Sequence, residues 1–112
     1  MLNKEFRISG GKEYNNIYQY GKRIQGRYII VFFQKGGTKF SRFGIVTSKK
    51  IGNAVVRNRV KRRLRAIVHD NMDKICGCYN IVIVARYNSS NAAYENLEQD
   101  FFKAMKKAGL LC

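Results

Sequence analysis

The sequence is poor in the features that mark membrane proteins and self-sufficient hydrolases. It contains one histidine, seven acidic residues and no proline. No run of about 18 apolar residues occurs, so no segment is predicted to span a membrane. The N-terminal stretch MLNKEFRISG lacks the long apolar segment of a secretory signal. We therefore expect a soluble, cytoplasmic protein.

The shortage of acidic residues is concentrated in one part of the chain. No Asp or Glu lies between Glu13 and Asp70, whereas this interval holds 14 Lys and Arg, and the net charge is +15. Like charges at this density repel one another and lower stability, and the phosphates of a nucleic acid would neutralise them. Nucleic acid is thus the strongest candidate partner. The alternative is a cationic surface that only confers solubility, which suits the charge of about 2–8 usual in a small domain.

Three cysteines are present, Cys76, Cys78 and Cys112. An odd number without a secretory signal predicts reduced thiols. The C-x-C spacing of the first two is tighter than the usual zinc spacing, and no fourth ligand accompanies them and His69. Two small residues at a turn explain the spacing better, so no metal site is predicted.

The apolar pattern predicts an alternation of helices and strands within a single domain, residues 1–112. Helices are predicted over 12–20 and 53–68, with Asn53 as N-cap of the second, and strands over 22–25, 27–34, 40–47 and 79–85. Ser89 and Ser90 are expected to cap a last helix that ends at Gly109. Strands 27–34 and 40–47 are expected to pair as a hairpin, and strand 79–85 to be central. This order indicates an α+β sandwich with helices on a small sheet.

The stretch RNRVKRRLR, residues 57–65, contains six cationic residues and no acidic one. Val60 and Leu64 belong to an apolar stripe with helical spacing, so the stretch is predicted to be a helix anchored on the sheet and not a disordered tag. A merely solvated face would contain Glu among the Lys and Arg. Guanidinium groups can hold two phosphate oxygens at once, so the exposed ridge is predicted to bind phosphate. Its members are Asn58, Lys61, Arg62 and Arg65, flanked by Arg59 and Arg63, with Arg57 near the apolar edge.

Aromatic residues accompany this charge. Tyr14 and Tyr18 share one face of the first helix, and Tyr28, Ile30 and Phe32 alternate onto one face of a strand. Core packing is the ordinary explanation for each aromatic residue. A tyrosine-lined groove beside a basic helix would instead suit single-stranded nucleic acid, which combines base stacking with phosphate contacts.

The residues do not form a self-contained active site for RNA cleavage. Cleavage without metal needs paired acid and base groups, and cleavage with metal needs clustered carboxylates. The single histidine and the scattered acidic residues supply neither. A nuclease that acts alone is therefore disfavoured.

Residues 48–65, SKKIGNAVVRNRVKRRLR, resemble the most diagnostic segment of the bacterial ribonuclease P protein subunit family. Arg57-Asn58-Arg59 matches the RNR helix of that family, and Lys49–Val55 matches its K-K-x-G-x-A-V element. The resemblance extends over nearly the whole chain. It implies the family's two-layer α/β sandwich, a ribosomal-protein-like fold of order α-β-β-β-α-β-α with a left-handed β-α-β crossover.

The resemblance also implies a function. In this family a catalytic RNA, assisted by Mg²⁺, removes the 5′ leader of precursor tRNA, and the protein is the small subunit. The Mg²⁺ is expected to be held by the RNA, and no set of metal ligands is predicted in this chain. By resemblance, the residues that contact the catalytic RNA are Lys49, Lys50, Asn53, Arg57, Asn58, Arg59 and Arg62. The cleft for the single-stranded leader maps to Tyr14, Tyr18, Ile30, Phe32, Lys61 and Arg65. The alternative is a non-enzymatic RNA-binding protein, such as a ribosomal protein of similar fold.

Overall fold

A four-stranded mixed sheet lies at the centre of the structure. The computed structural model describes residues 4–112. The elements are α1 (Gly11–Tyr20), β1 (Lys22–Gln25), β2 (Ile29–Lys35), β3 (Arg42–Val46), α2 (Ala54–Asn71), β4 (Tyr79–Ala85) and α3 (Tyr94–Ala108). Short 3-10 turns cover Lys4–Phe6, Met72–Lys74 and Tyr87–Asn91. The predicted α+β class and order of elements are confirmed.

The strand order is β1-β2-β4-β3, with β4 antiparallel to β2 and parallel to β3. The predicted hairpin between β2 and β3 is therefore wrong, whereas the central position of β4 is confirmed. Ile81, Val82 and Ile83 of β4 are fully buried, and this strand gains most from a neighbour on each side. Because β3 and β4 are parallel, the chain that joins them must cross over the sheet, and α2 forms this crossover.

Helices lie on both faces of the sheet. Ile29, Val31 and Phe33 of β2 are buried on the face that α2 and α3 cover. The alternate residues Ile30 and Phe32 are half-buried on the other face, where α1 packs through Ile17 and Tyr14. The alternate residues of β2 therefore contribute to two cores, a large one under α2 and α3 and a smaller one under α1. The sheet face under α1 remains partly accessible.

The stripe on α2 packs as predicted. The side chain of Asn53 accepts a hydrogen bond of 3.0 Å from the backbone N–H of Val56 and caps the helix. Val60 and Leu64 have no exposed surface. The helix continues past the predicted residue 68 to Asn71, whose buried side-chain amide donates to the Ile67 carbonyl at 2.7 Å.

The start of α3 differs from the prediction. Ser89 and Ser90 lie in the preceding 3-10 turn, and the Ser89 hydroxyl donates to the carbonyl of Arg86 at 2.7 Å, so neither caps the helix. The helix begins at Tyr94 and ends, as predicted, at Gly109, whose φ of 75° is the left-handed conformation usual after a helix.

The cysteine prediction is wrong for two of the three residues. Cys76 and Cys112 form a disulfide, while Cys78 is free. Backbone hydrogen bonds from Cys76 to Leu110 and from Cys112 to Lys74 align the two segments, 2.7 and 2.9 Å long. A sulfur atom in a disulfide is not a thiolate ligand, and within residues 4–112 no group of three or more His, Cys, Asp or Glu is placed to hold a metal ion.

The helices of this fold are short or polar. No helix in the described part of the chain combines the length and apolar character needed to cross a membrane.

Candidate nucleic-acid interface

The cationic side chains of α2 surround its buried stripe on three sides. Asn58, Arg59 and Arg62 are exposed on the outer side. Lys61 and Arg65, one turn apart, are half-buried on one flank, and Arg63 is half-buried on the other. The packing of Val60 and Leu64 therefore fixes the direction of each of these side chains. Of the predicted ridge, Asn58 and Arg62 are on the outer side, whereas Lys61 and Arg65 lie on the flank.

One flank of α2 is attached to the 3-10 turn Tyr87–Asn91. Arg59 donates to the carbonyl oxygen of Ser90 at 3.4 Å, and Arg63 donates to that of Ala92 at 3.2 Å. A guanidinium carries five N–H donors, so one such contact leaves most of the Arg59 donors available.

The opposite flank of α2 faces α1. A hollow of about 190 Å³ at the β3 edge is lined by Arg65, Tyr14, Arg7 and Gly44, among others. Burial raises the pKa of the Tyr14 phenol above its ordinary value, and the positive charge of Arg65 partly opposes that rise. A cation from α2 and an aromatic ring from α1 therefore meet in one hollow, although the two helices pack on opposite faces of the sheet.

Gly44 permits this approach. A Cβ atom at Gly44 would lie 2.7 Å from two carbon atoms of the Tyr14 ring, which is closer than van der Waals contact allows. The missing side chain lets the ring lie directly against β3. A glycine inside a strand is a known sign of such close approach, and it is the signal by which this residue could have been found.

The aromatic side chains of α1 and β2 continue from this hollow. The ring centroids of Tyr14 and Tyr18 are 6.4 Å apart, and those of Tyr18 and Phe32 are 4.9 Å apart in an edge-to-face arrangement. Tyr18 remains 38% exposed, which leaves part of its ring free for a ligand. We call the surface formed by Tyr14, Tyr18, Ile30, Phe32 and Arg65 the aromatic cleft.

The burial of Tyr18 has an electrostatic consequence. It raises the pKa of the Tyr18 phenol, and the neighbouring Tyr14 adds to the rise. Because the pKa of Tyr14 is raised as well, both phenols are neutral at physiological pH. Both can therefore donate a hydrogen bond and stack without repelling a phosphate.

The loop before α2 supplies two further cations. Lys49 and Lys50 are exposed in this loop, which buried Ile51 anchors to the core. The side-chain oxygen of Asn53 is occupied by the helix cap, so only its amide N–H₂ group is available to a ligand. We call Lys49, Lys50, Asn58, Arg59 and Arg62 the basic ridge.

Lys61 and Arg57 lie on one flank of α2, and Arg57 is close to the apolar edge, as its helical spacing predicts. Lys61 lies on the Arg65 flank, as expected of a residue near the cleft. Arg57 precedes Lys61 by one turn and is half-buried. On an α-helix, residues four apart lie on the same side, so Arg57 belongs to the Lys61 flank and not to the outer side with Asn58 and Arg62.

Arg42 and Arg7 were missed by the sequence reasoning. Arg42 forms an ion pair of 2.8 Å with Glu13 of α1 and donates to the side chain of Asn80 at 3.2 Å. These contacts tie α1 to β3 and β4 beside the aromatic cleft. Arg7 lines the same hollow as Arg65. Neither residue lies in a basic run, and only the folded chain brings them to the site.

Known proteins share both the sequence and the structure. Residues 2–109 match the family model described as Ribonuclease P. The chain is 44% identical over 110 residues to the ribonuclease P protein component of Syntrophomonas wolfei, with 98% of this chain and 92% of the relative covered. Its structure matches that of a mutant RNase P protein from Staphylococcus aureus with a TM-score of 0.90 at 27% identity, over 96% of this chain and 92% of the other.

A second solved structure agrees. The RNase P protein from Thermotoga maritima superposes with a TM-score of 0.83 at 30% identity, over 90% of this chain and 96% of the other. The resemblance first drawn from residues 48–65 therefore holds over nearly the full length, and the chain belongs to the ribonuclease P protein family.

Proposed function

We propose that this chain, a subunit of ribonuclease P, holds RNA on two adjoining surfaces. The basic ridge, with Asn53 and Arg57 beside it, binds the catalytic RNA of the enzyme. The aromatic cleft, with Lys61 on its border, binds the single-stranded 5′ leader of precursor tRNA. The observation that carries this proposal is the hollow shared by Arg65 and Tyr14, since it brings a cation of α2, the helix that carries most of the basic ridge, against an aromatic ring of α1.

Each surface suits its proposed ligand. Exposed Arg and Lys neutralise phosphates and release counterions, which favours a folded RNA of high charge density. Partly exposed aromatic rings stack on unpaired bases of any sequence, and a neighbouring cation binds the connecting phosphate. Neutral phenols at Tyr14 and Tyr18 leave both interactions intact at physiological pH.

The chemistry of cleavage is assigned to the RNA subunit. The only histidine, His69, is exposed near the end of α2, lies 3.4 Å from Asp70 and does not line the hollow shared by Arg65 and Tyr14. Mg²⁺ prefers oxygen ligands in an octahedral arrangement, whereas the ridge and the cleft present cations and aromatic rings. The residues of this chain therefore do not fit the metal, and we assign Mg²⁺ to the RNA.

Reconstitution tests the proposal. The chain is combined with a bacterial-type catalytic RNA and precursor tRNA at low Mg²⁺, where charge neutralisation by a protein matters most. We expect faster release of the 5′ leader than with the RNA alone. If the protein gives no stimulation across a Mg²⁺ titration, the proposed function is wrong. A non-enzymatic RNA-binding protein, such as a ribosomal protein, would give that negative result.

The cleft is tested separately by Tyr18→Ala, with Tyr20→Ala as the matched control. Both tyrosines lie on α1, but Tyr20 is 70% exposed and lies on a different side of the helix from the cleft. Stacking on one base is worth about 1–3 kcal/mol. We therefore expect Tyr18→Ala to weaken binding of leader-bearing precursor tRNA, and not of leaderless tRNA, by up to that amount. Equal losses on both RNAs would contradict a role in leader binding.

A further inference from the structure

A second cationic surface lies at the opposite edge of the sheet from β3. There α3 packs against the edge strand β1, and a hollow of about 470 Å³ opens between them. We call it the lysine hollow. It is lined by Ile24, Gln25, Gly26 and Arg27 on one side and by residues of α3, including Lys103, Ala104 and Lys107, on the other. Neither the basic ridge nor the aromatic cleft contributes to it.

The floor and the rim of the hollow differ in chemistry. Half-buried Ile24 and buried Ala104 form an apolar floor. The rim is cationic, because Lys103, Lys106 and Lys107 are exposed on α3 and Arg27 is exposed across from them. A planar apolar group fits the floor, and an anion fits the rim.

One carboxylate borders the hollow, and three of its roughly four acceptor positions are already used. Asp100 is buried and accepts backbone N–H bonds of 3.0, 2.8 and 3.1 Å from Arg27, Tyr28 and Ile29. The ion pairs found within residues 4–112 are Arg42–Glu13 and His69–Asp70. In the described chain, the lysines of the rim therefore have no carboxylate in salt-bridge contact.

The helix dipole explains only part of this arrangement. Lysines near the C-terminal end of α3 are each favoured by about 0.3–1 kcal/mol. That effect does not require them to converge with Arg27 on one hollow, where their charges repel one another. An anion in the hollow would relieve the repulsion, and the volume lies within the range of sites that bind small molecules or single nucleotides, about 300–1,000 Å³.

We propose that the lysine hollow binds one unpaired nucleotide of an RNA, with its base against Ile24 and Ala104 and its phosphate on Lys103 and Lys107. This inference rests on the proposed function, because it gives the RNA a second point of attachment. A nucleotide fits better than an acidic peptide because it combines a flat apolar base with a phosphate. The nucleotide could belong to the catalytic RNA or to the precursor tRNA, which present the same chemistry.

Protection of lysines from acetylation tests the inference. The full chain is acetylated alone, with catalytic RNA, with precursor tRNA, or with both, and each modified lysine is quantified by mass spectrometry. We expect Lys103 and Lys107 to be protected several-fold in the mixture that contains the source RNA. The exposed Lys35 and Lys39 at the β2–β3 loop should remain reactive. Protection by one of the two RNAs on its own identifies the RNA that supplies the nucleotide.

The protection of Lys61 from acetylation distinguishes failure of this inference from failure of the proposed function. If Lys61 is protected while Lys103 and Lys107 stay reactive with every RNA, the lysine hollow does not bind RNA and the proposed function stands. If neither α2 nor α3 is protected by any RNA, both proposals fail.

Charge-removal variants give an independent measure. Neutralising one phosphate contributes about 0.7–0.9 units to the slope of log affinity against log salt concentration, depending on whether the RNA is single- or double-stranded. We expect Lys103→Ala/Lys107→Ala to lower the slope by up to that amount for the RNA identified above. The control Lys35→Ala/Lys39→Ala removes the same charge elsewhere. An equal change in both variants would reduce the effect to general electrostatics and overturn the inference.

Discussion

Substituting Gly44 with alanine should displace Tyr14 from β3. The new Cβ would lie 2.7 Å from two carbon atoms of the Tyr14 ring, so the ring or the strand must shift by several tenths of an ångström. Inserting a methyl group into a packed site costs about 1–3 kcal/mol. Alanine also removes the entropic cost of glycine in a strand, which stabilises by about 0.5–1 kcal/mol. The expected net change is a loss of about 0–2.5 kcal/mol.

A double-mutant cycle with Tyr14→Ala isolates the contact. Once the ring is absent, the Cβ of Gly44→Ala no longer meets it, and only the entropic term remains. Gly44→Ala should therefore become stabilising, by about 0.5–1 kcal/mol, in the Tyr14→Ala background. Urea denaturation of the four proteins measures each free energy of unfolding. Tyr14→Phe is a useful fifth protein, because it retains the two ring carbon atoms but lacks the phenol oxygen, which is the atom nearest to the added Cβ, and should therefore retain part of the clash.

The same substitution should affect the leader more than the rest of the RNA. A displaced Tyr14 ring alters the aromatic cleft but leaves the basic ridge in place. Gly44→Ala should weaken binding of leader-bearing precursor tRNA by up to about 1–3 kcal/mol, the value of one stacked base, and should leave binding of the catalytic RNA unchanged. If Gly44→Ala destabilises the protein equally with and without the Tyr14 ring, the proposed reason for the glycine is refuted.

Three further predictions address the cap, the buried carboxylate and the cleft phenol. Asn53→Ala removes the hydrogen bond to the Val56 N–H and should lower the free energy of unfolding by about 1 kcal/mol, measured by urea denaturation. Asp100→Asn leaves a single acceptor oxygen for three backbone N–H groups and should cost about 1.5–3 kcal/mol in the same assay, whereas Asn96→Ala, on an exposed part of the same helix, should change little. Burial raises the pKa of Tyr14 in the folded protein, so the neutral phenol stabilises the fold. This contribution to the free energy of unfolding is fully present below a pH of about 10, and it is lost as the pH rises through the raised pKa. A spectrophotometric titration of Tyr14→Phe should therefore lack one ionisation above that pH, and the loss of an earlier ionisation instead would contradict the assignment.

The parts of the fold that depend on local periodicity were predictable. Val60 and Leu64 lie four residues apart and are both fully buried, because the helical period alone decides which side of α2 faces the sheet. The alternation of Ile29, Val31 and Phe33 in β2 is decided in the same way by the strand period. The cap at Asn53 also follows from a local preference. These features need no knowledge of distant residues.

The parts that depend on long-range contacts were not predictable. Cys76 and Cys112 are 36 residues apart, and their pairing depends on the tail returning to the segment that precedes β4. Asp100 gives no sign in the sequence that three backbone N–H groups from residues 27–29 will meet its carboxylate. The meeting of Arg65 and Tyr14 is of the same kind. Both residues were assigned to the cleft by family resemblance, but their contact depends on how α2 crosses the sheet.

The wrong hairpin prediction and the geometry of the cleft have the same cause. A hairpin of β2 with β3 would place β3 inside the sheet and leave β4 at the edge. In the observed order β3 is an edge strand, and α2 leaves it to cross to β4. Arg65 of α2 can then reach around the exposed edge to Tyr14, which lies over Gly44 on the other face. The cation and the ring converge because β3 is short, lies at the edge and has a glycine at its centre.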